Sequence, residues 1–144
     1  MTHFTFARDA LALLCGIQGI ATLAIDLNRT HATNPLWPGH ARFHLVWQTF
    51  NTTMLAVLEI ALLFMHGPYE IPRFYFAAAL AGVPMLGFLQ ALLARKLYRG
   101  TLSDPNGIPP ARIIFFGRQH RIDLNTSAIT AALLLLMALI WYSR

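Results

Sequence analysis

Four long apolar runs constrain this chain more than any other feature of its sequence. They cover about residues 5–25, 40–65, 72–97 and 126–142. A helix rises about 1.5 Å per residue, so about 20 apolar residues cross the roughly 30 Å hydrocarbon core of a bilayer. A chain of 144 residues has no room for a second domain beside four such helices. We therefore predict one all-α domain, residues 1–144, that forms an integral membrane bundle of four transmembrane helices.

The basic residues predict how this bundle lies in the membrane. With four spans, the first and third loops share one side, and the termini share the other side with the second loop. The first side carries more basic residues: Arg29, Arg42, Arg95, Lys96, Arg99, Arg112, Arg118 and Arg121, against Arg8, Arg73 and Arg144. The positive-inside rule therefore places loops one and three in the cytoplasm and both termini outside, in a bacterial inner membrane. Since topology accounts for the net charge of +5, we expect membrane lipids as partners and no nucleic acid.

A polar stripe follows the second apolar run. At 100° per residue, five polar side chains of this run fall within about 100° of arc: His40, His44, Gln48, Asn51 and Glu59. Polar residues in a spanning helix face protein, water or a ligand rather than lipid. The stripe is therefore predicted to line a pocket inside the bundle.

A repeated tetrapeptide adds polar residues at one membrane face. Ile-Asp-Leu-Asn occurs at 25–28, where the first helix ends, and at 122–125, where the fourth begins. Both copies therefore lie at the same face. They form one predicted layer with four histidines, and this layer is the predicted polar cavity at the cytoplasmic interface: Asp26, Asn28, Asp123, Asn125, His31, His40, His44 and His120.

The third loop, residues 100–123, is the longest. Its apolar segment 113–116 is too short to span a membrane, so we predict an interfacial segment that lies against the bundle and roofs the cavity as a lid. Asp123 or Asn125 is the predicted N-cap of the fourth helix.

Two resemblances rest on these residues. The run from Asp26 to His44, with Asn34-Pro35, Trp37-Pro38 and His40-Ala41-Arg42-Phe43-His44, resembles a signature of small four-span membrane proteins of unknown function. More weakly, Asp26-Leu27, Trp37-Pro38 and Glu59 resemble the EXPERA group, which includes a sterol isomerase. That second resemblance implies a membrane cavity in which acidic and histidine side chains bind sterol-like amines or move protons on a sterol double bond.

The function predicted from the layer is binding and acid/base conversion of a lipophilic small molecule, sterol- or isoprenoid-like by resemblance, without a cofactor. His40 and His44 would exchange the proton, while Asp26 and Asp123 would orient them or stabilise cationic character. The remaining polar residues would line the substrate pocket: Asn28, His31, Gln48, Asn51, Glu59, His120 and Asn125.

Other functions fit the same residues. His40 and His44, at i and i+4, could bind iron or zinc with Asp26 or Asp123, as in a metal-dependent membrane oxidoreductase or hydrolase. Glu59 or Asp26 could be the proton site of a small transporter. The histidines could also only fasten helix to helix by hydrogen bonds. A homodimer is left open.

Overall fold

Four helices form the structure, a computed structural model that describes residues 3–103 and 106–144. Asp104 and Pro105 of the predicted lid lie outside these residues. Each helix is long and apolar enough to cross a membrane. This confirms the four predicted helices and indicates an integral membrane protein. In chain order the helices are α1 (His3–Asp26), α2 (Gly39–Phe64), α3 (Glu70–Ala94) and α4 (Leu124–Tyr142).

The helices pack in a ring in which each contacts the next, and α4 closes onto α1. The core between them is apolar and includes Leu11 from α1, Phe74 and Met85 from α3, and Leu136 from α4. Small residues of α3 are fully or almost fully buried as well. Lipid tails are as apolar as these side chains, so close van der Waals packing stabilises the helix contacts.

The contact of α1 with α2 is the most extensive in the bundle. Gly19 permits it, because a Cβ at this position would lie 2.9 Å from Ala56 Cβ. Thr53 Oγ1 also reaches Gly19 O at 3.5 Å. This close approach determines which face of α2 is turned inward: its buried residues are Thr49, Ala56, Glu59 and Leu63.

Contacts between loops assign the two ends of the bundle. Buried Asn34 of loop one donates from Nδ2 to Asn106 O of loop three at 2.9 Å. At the other end, the His3 and Tyr142 rings stack with centroids 4.7 Å apart. We call the first the loop end and the second the terminal end.

The third loop contains a β-hairpin that sequence reasoning missed. Strands β1 (Ala111–Phe115) and β2 (Arg118–Ile122) pair antiparallel, with Phe115 opposite Arg118. Phe116 and Gly117 connect them with φ of 48° and 71°, the two positive values of a type I′ turn. Phe116 is 91% exposed and Ile114 81%, so the apolar segment expected to lie against the bundle is instead the exposed tip of a hairpin.

Substitution at Gly19 tests whether the α1–α2 contact holds the bundle together. We expect Gly19→Ala to lose about 1–3 kcal/mol of stability, because the added methyl overpacks against Ala56. Gly16→Ala is the matched control, since the nearest atom to its Cβ would be Ile60 Cδ1 at 3.9 Å. Thermal unfolding in detergent compares them, and Ala56→Gly should restore the Gly19→Ala variant. Equal midpoints for the two alanine variants would contradict the prediction.

Candidate functional site

A cleft of about 400 Å³ opens at the loop end. Its walls come from the end of α1, loop one, α2, loop three and the start of α4. Four of the predicted site residues line it: Asp26, His31, Asp123 and Asn125. Apolar side chains complete the walls, among them Trp37, Leu45, Leu102 and Ile108. Its volume and its mixture of apolar walls with a few polar groups make the cleft a candidate small-molecule site.

Asp26, the last residue of α1, is half-buried in this cleft. Its Oδ2 lies 3.2 Å from Oγ1 of fully buried Thr49. Thr49 Oγ1 is also 2.8 Å from Leu45 O, so one hydroxyl proton is shared between two acceptors. Asp26 interacts electrostatically with His31 across the cleft wall. Thr49 therefore ties the carboxyl to α2 and leaves it hydrogen-bonding capacity for a ligand.

Hydrogen bonds in loop one determine the tautomer of His31. Asn28 Nδ2 donates to Ala24 O at 3.0 Å, and Asn28 Oδ1 accepts from Thr30 N at 2.8 Å. Both contacts orient the amide in the same way, so Oδ1 is an acceptor. The 2.6 Å contact of Thr30 Oγ1 with Asn28 Oδ1 therefore uses the Thr30 hydroxyl proton.

It follows that Thr30 Oγ1 has only lone pairs to offer His31 Nδ1, which lies 2.7 Å away. His31 must then carry its proton on Nδ1. In the neutral ring Nε2 is left as the acceptor. The Trp37 ring packs edge-on against the imidazole with centroids 5.3 Å apart, which also restricts its orientation. The arrangement prepares His31 Nε2 to accept a proton.

Asp123 has a structural contact in addition to its place in the cleft wall. Its Oδ1 accepts from Thr126 N at 2.7 Å and caps α4, so Asp123 is the N-cap rather than Asn125. Asn125 lies between the cleft and a smaller cavity of about 160 Å³. The two copies of the tetrapeptide therefore meet at one site, through Asp26 of the first and Asp123 and Asn125 of the second.

The other predicted residues lie elsewhere. His40, His44, Gln48 and Asn51 are exposed on the surface of the single chain. His40 Nε2 and His44 Nε2 are 3.1 Å apart and contact each other. His120 is exposed on β2 opposite Ile113. The face of α2 that packs inward is about 100° or more around the helix from His40 and His44, so the predicted stripe is divided between an inner and an outer face.

Glu59 is the member of the stripe that faces inward. It is 0% exposed, and the Cys15 thiol interacts with its carboxyl group. Neither carboxyl oxygen has a well-formed hydrogen bond to any of the described residues. An intramembrane carboxyl without such a partner is a candidate functional group.

Among residues 3–103 and 106–144, no three His, Cys, Asp or Glu side chains are grouped so that they could hold a metal ion. The residues that sequence reasoning missed are Thr30 and Thr49, which orient His31 and Asp26. A partial signal was present at Asn28, because an Asn side chain in a loop commonly accepts a hydrogen bond from the backbone two residues on. Thr49 carries no comparable local signal.

Compared with models of protein families, with curated proteins and with solved structures, the chain has no match.

The tautomer of His31 can be tested by ¹⁵N NMR of histidine-labelled protein in micelles at a pH where the ring is neutral. We expect Nδ1 to be protonated and Nε2 unprotonated in the wild type. Thr30→Val removes the oxygen that selects this form, so the variant should give a mixture of tautomers. Thr33→Val, an exposed change in the same loop, should leave the spectrum unchanged. A wild type protonated mainly on Nε2 would contradict the assignment.

Proposed function

We propose that this membrane protein binds a lipophilic small molecule in the loop-end cleft and moves a proton on it. The observation that carries the proposal is the convergence of Asp26 and His31 on a cleft with apolar walls. The apolar side chains suit a hydrocarbon skeleton, while the carboxyl and the imidazole suit acid/base chemistry. The weak resemblance to the EXPERA group supports a sterol- or isoprenoid-like substrate.

The proposed reaction is the shift of a carbon–carbon double bond. The imidazolium form of His31 gives its Nε2 proton to one alkene carbon, and the resulting cation is stabilised by the Asp26 carboxylate. Neutral Nε2 then takes a proton from the carbon bonded to the cationic carbon on its other side, and the electron pair of that C–H bond forms the new double bond. No oxidant or cofactor is consumed, because one proton is added and one removed. The Nδ1 proton held toward Thr30 leaves Nε2 free for both steps.

Orientation and location belong to the same proposal. The basic residues of loops one and three support a cytoplasmic loop end, with both termini outside, in a bacterial inner membrane. The cleft would then take its substrate from the inner leaflet, near the level of the lipid headgroups. Trp37, which lines the cleft, is a side-chain type that favours this level.

Binding can be tested with two photoreactive probes, a diazirine sterol and a diazirine isoprenoid alcohol, in proteoliposomes. Mass spectrometry should locate saturable labelling by at least one probe within residues 25–45 or 101–125. Leu45→Trp, which fills the cleft from α2, should reduce this labelling, whereas Leu13→Trp on the exposed surface of α1 should not. Labelling that neither saturates nor differs from that of the outer helix faces would count against the cleft.

Proton transfer can be tested by deuterium incorporation from D₂O into an unsaturated sterol and an isoprenoid alcohol. We expect His31→Ala to lower the rate about 10²- to 10⁴-fold, because a positioned acid/base group contributes that much. Asp26→Asn should also lower the rate while binding is retained. His66→Ala is the control, since this exposed histidine lies beyond the opposite end of α2. The assignment of His31 fails if His31→Ala exchanges deuterium at the wild-type rate.

Proton-coupled transport is a second candidate, and the burial of Glu59 favours it. A carboxyl in the spanning region without a good hydrogen bond is the kind of group that transporters protonate and release. In liposomes with an internal pH dye, the wild type should pass protons faster than empty vesicles. Glu59→Gln should abolish the difference, whereas exposed Glu70→Gln should retain it. Equal rates of proton entry into wild-type and empty vesicles would contradict this function.

A further inference from the structure

The outer face of α2 carries polar side chains that no other described part of the chain covers. His44, Gln48 and Asn51 are exposed, and Asn51 lies at the middle of the 26-residue helix. At that depth the surroundings of a single chain would be lipid tails, which offer no hydrogen bonds. Amide side chains in spanning helices therefore face a protein partner or a water-filled cavity. In a single chain, the outer face of α2 therefore lacks hydrogen-bond partners for its amide side chains.

The spacing on this face is that of a helix–helix seam. From His44 onward its residues follow in alternating steps of four and three: His44, Gln48, Asn51, Leu55, Leu58 and Leu62. We call these six residues the α2 seam. A repeat of 3.5 residues keeps one stripe in contact with a parallel neighbour through a left-handed supercoil. His44, Gln48, Asn51 and Leu58 are exposed, and Leu55 and Leu62 are half-buried.

A second copy of the chain is the partner that fits this seam. Two copies inserted in the same orientation are related by a twofold axis along the membrane normal, so their α2 helices run parallel and each seam residue meets its counterpart. Asn and Gln amides each carry donors and an acceptor, so they pair with themselves. His44 Nε2 already contacts His40 Nε2 within the chain, so the two amides are the groups that need a partner. Lipid tails offer no hydrogen-bond partner to the Gln48 and Asn51 amides, whereas an identical helix offers each amide a partner at the same height.

We infer that the protein forms a parallel homodimer through the α2 seam. Asn51 and Gln48 pair with their counterparts near the middle of the membrane, and the three leucines pack toward the terminal end. A buried Asn in such a seam also sets the register, because a shift of one turn would place the amide against leucine. The inference is independent of the proposed function, since no seam residue lines the cleft.

Cysteine cross-linking in native membranes tests the seam. Cys15 is the only cysteine and is buried, so a Cys15→Ala background gives a chain without thiols. Leu58→Cys should form a disulfide-linked dimer under mild oxidation. Val57→Cys is the matched control, because Val57 is 64% exposed against 49% for Leu58 but lies off the seam. Across residues 44–62, cross-linking should peak at the seam positions.

The contribution of Asn51 can be measured by dilution of labelled protein in lipid vesicles, with energy transfer between copies as the signal. Asn51→Leu should weaken association about 3- to 20-fold, the range measured for single interhelical hydrogen bonds. Met54→Leu, an exposed change off the seam, should leave association unchanged. Thermal unfolding of the diluted monomer tests whether Asn51→Leu still folds.

Three outcomes would each overturn the inference: cross-linking that favours Val57→Cys, a purely monomeric wild type, or a complex with a different protein.

Discussion

The absence of water inside the bilayer is the constraint on which the rest of this structure depends. Backbone groups meet it by forming helices, since every amide then has a partner within its own segment. Hydroxyl groups meet it in the same way: Thr22, Thr53 and Thr130 each donate to the carbonyl four residues earlier. Carboxyl, amide and imidazole groups cannot satisfy all their hydrogen bonds on one helix. Their positions therefore show where this chain needs a neighbouring helix, a ligand or a second copy.

The four helices could be predicted because length and apolar composition leave no other fold for such runs in a membrane. The hairpin could not be predicted from the sequence. Its turn, Phe116-Gly117, has an aromatic residue with positive φ where Asn or Asp is usual, and its strands show no alternation between apolar and polar side chains that marks a buried face. An exposed hairpin without a buried face is stabilised by its turn and its cross-strand bonds. A sequence pattern that marks buried faces therefore does not predict this hairpin.

The site was predictable where chain topology alone brings residues together. Asp26, His31, Asp123 and Asn125 each lie at or near the junction of a helix with loop one or loop three, and both loops are at one end of the bundle. The long stripe on α2 was different, because an arc of 100° is wide enough to include an inner and an outer face. The close contact at Gly19 and Ala56 turns Glu59 inward and leaves His44 and Asn51 outside. The orientation of α2 about its own axis depends on its packing against α1. Helical periodicity in the sequence does not predict this packing.

The proposed cleft and the α2 seam are connected because they use neighbouring faces of one helix, about 100° apart, at the same height. Leu45 lines the cleft and Thr49 contacts Asp26, while their neighbours His44 and Gln48 belong to the seam. A helix in a packed bundle moves as a rigid element. A rotation of α2 that changed the pairing of Gln48 would therefore also change the distance from Thr49 Oγ1 to the Asp26 carboxyl. The proposed association of two chains and the proposed chemistry of the cleft thus depend on the same helix orientation, which the small residues of the α1–α2 contact determine.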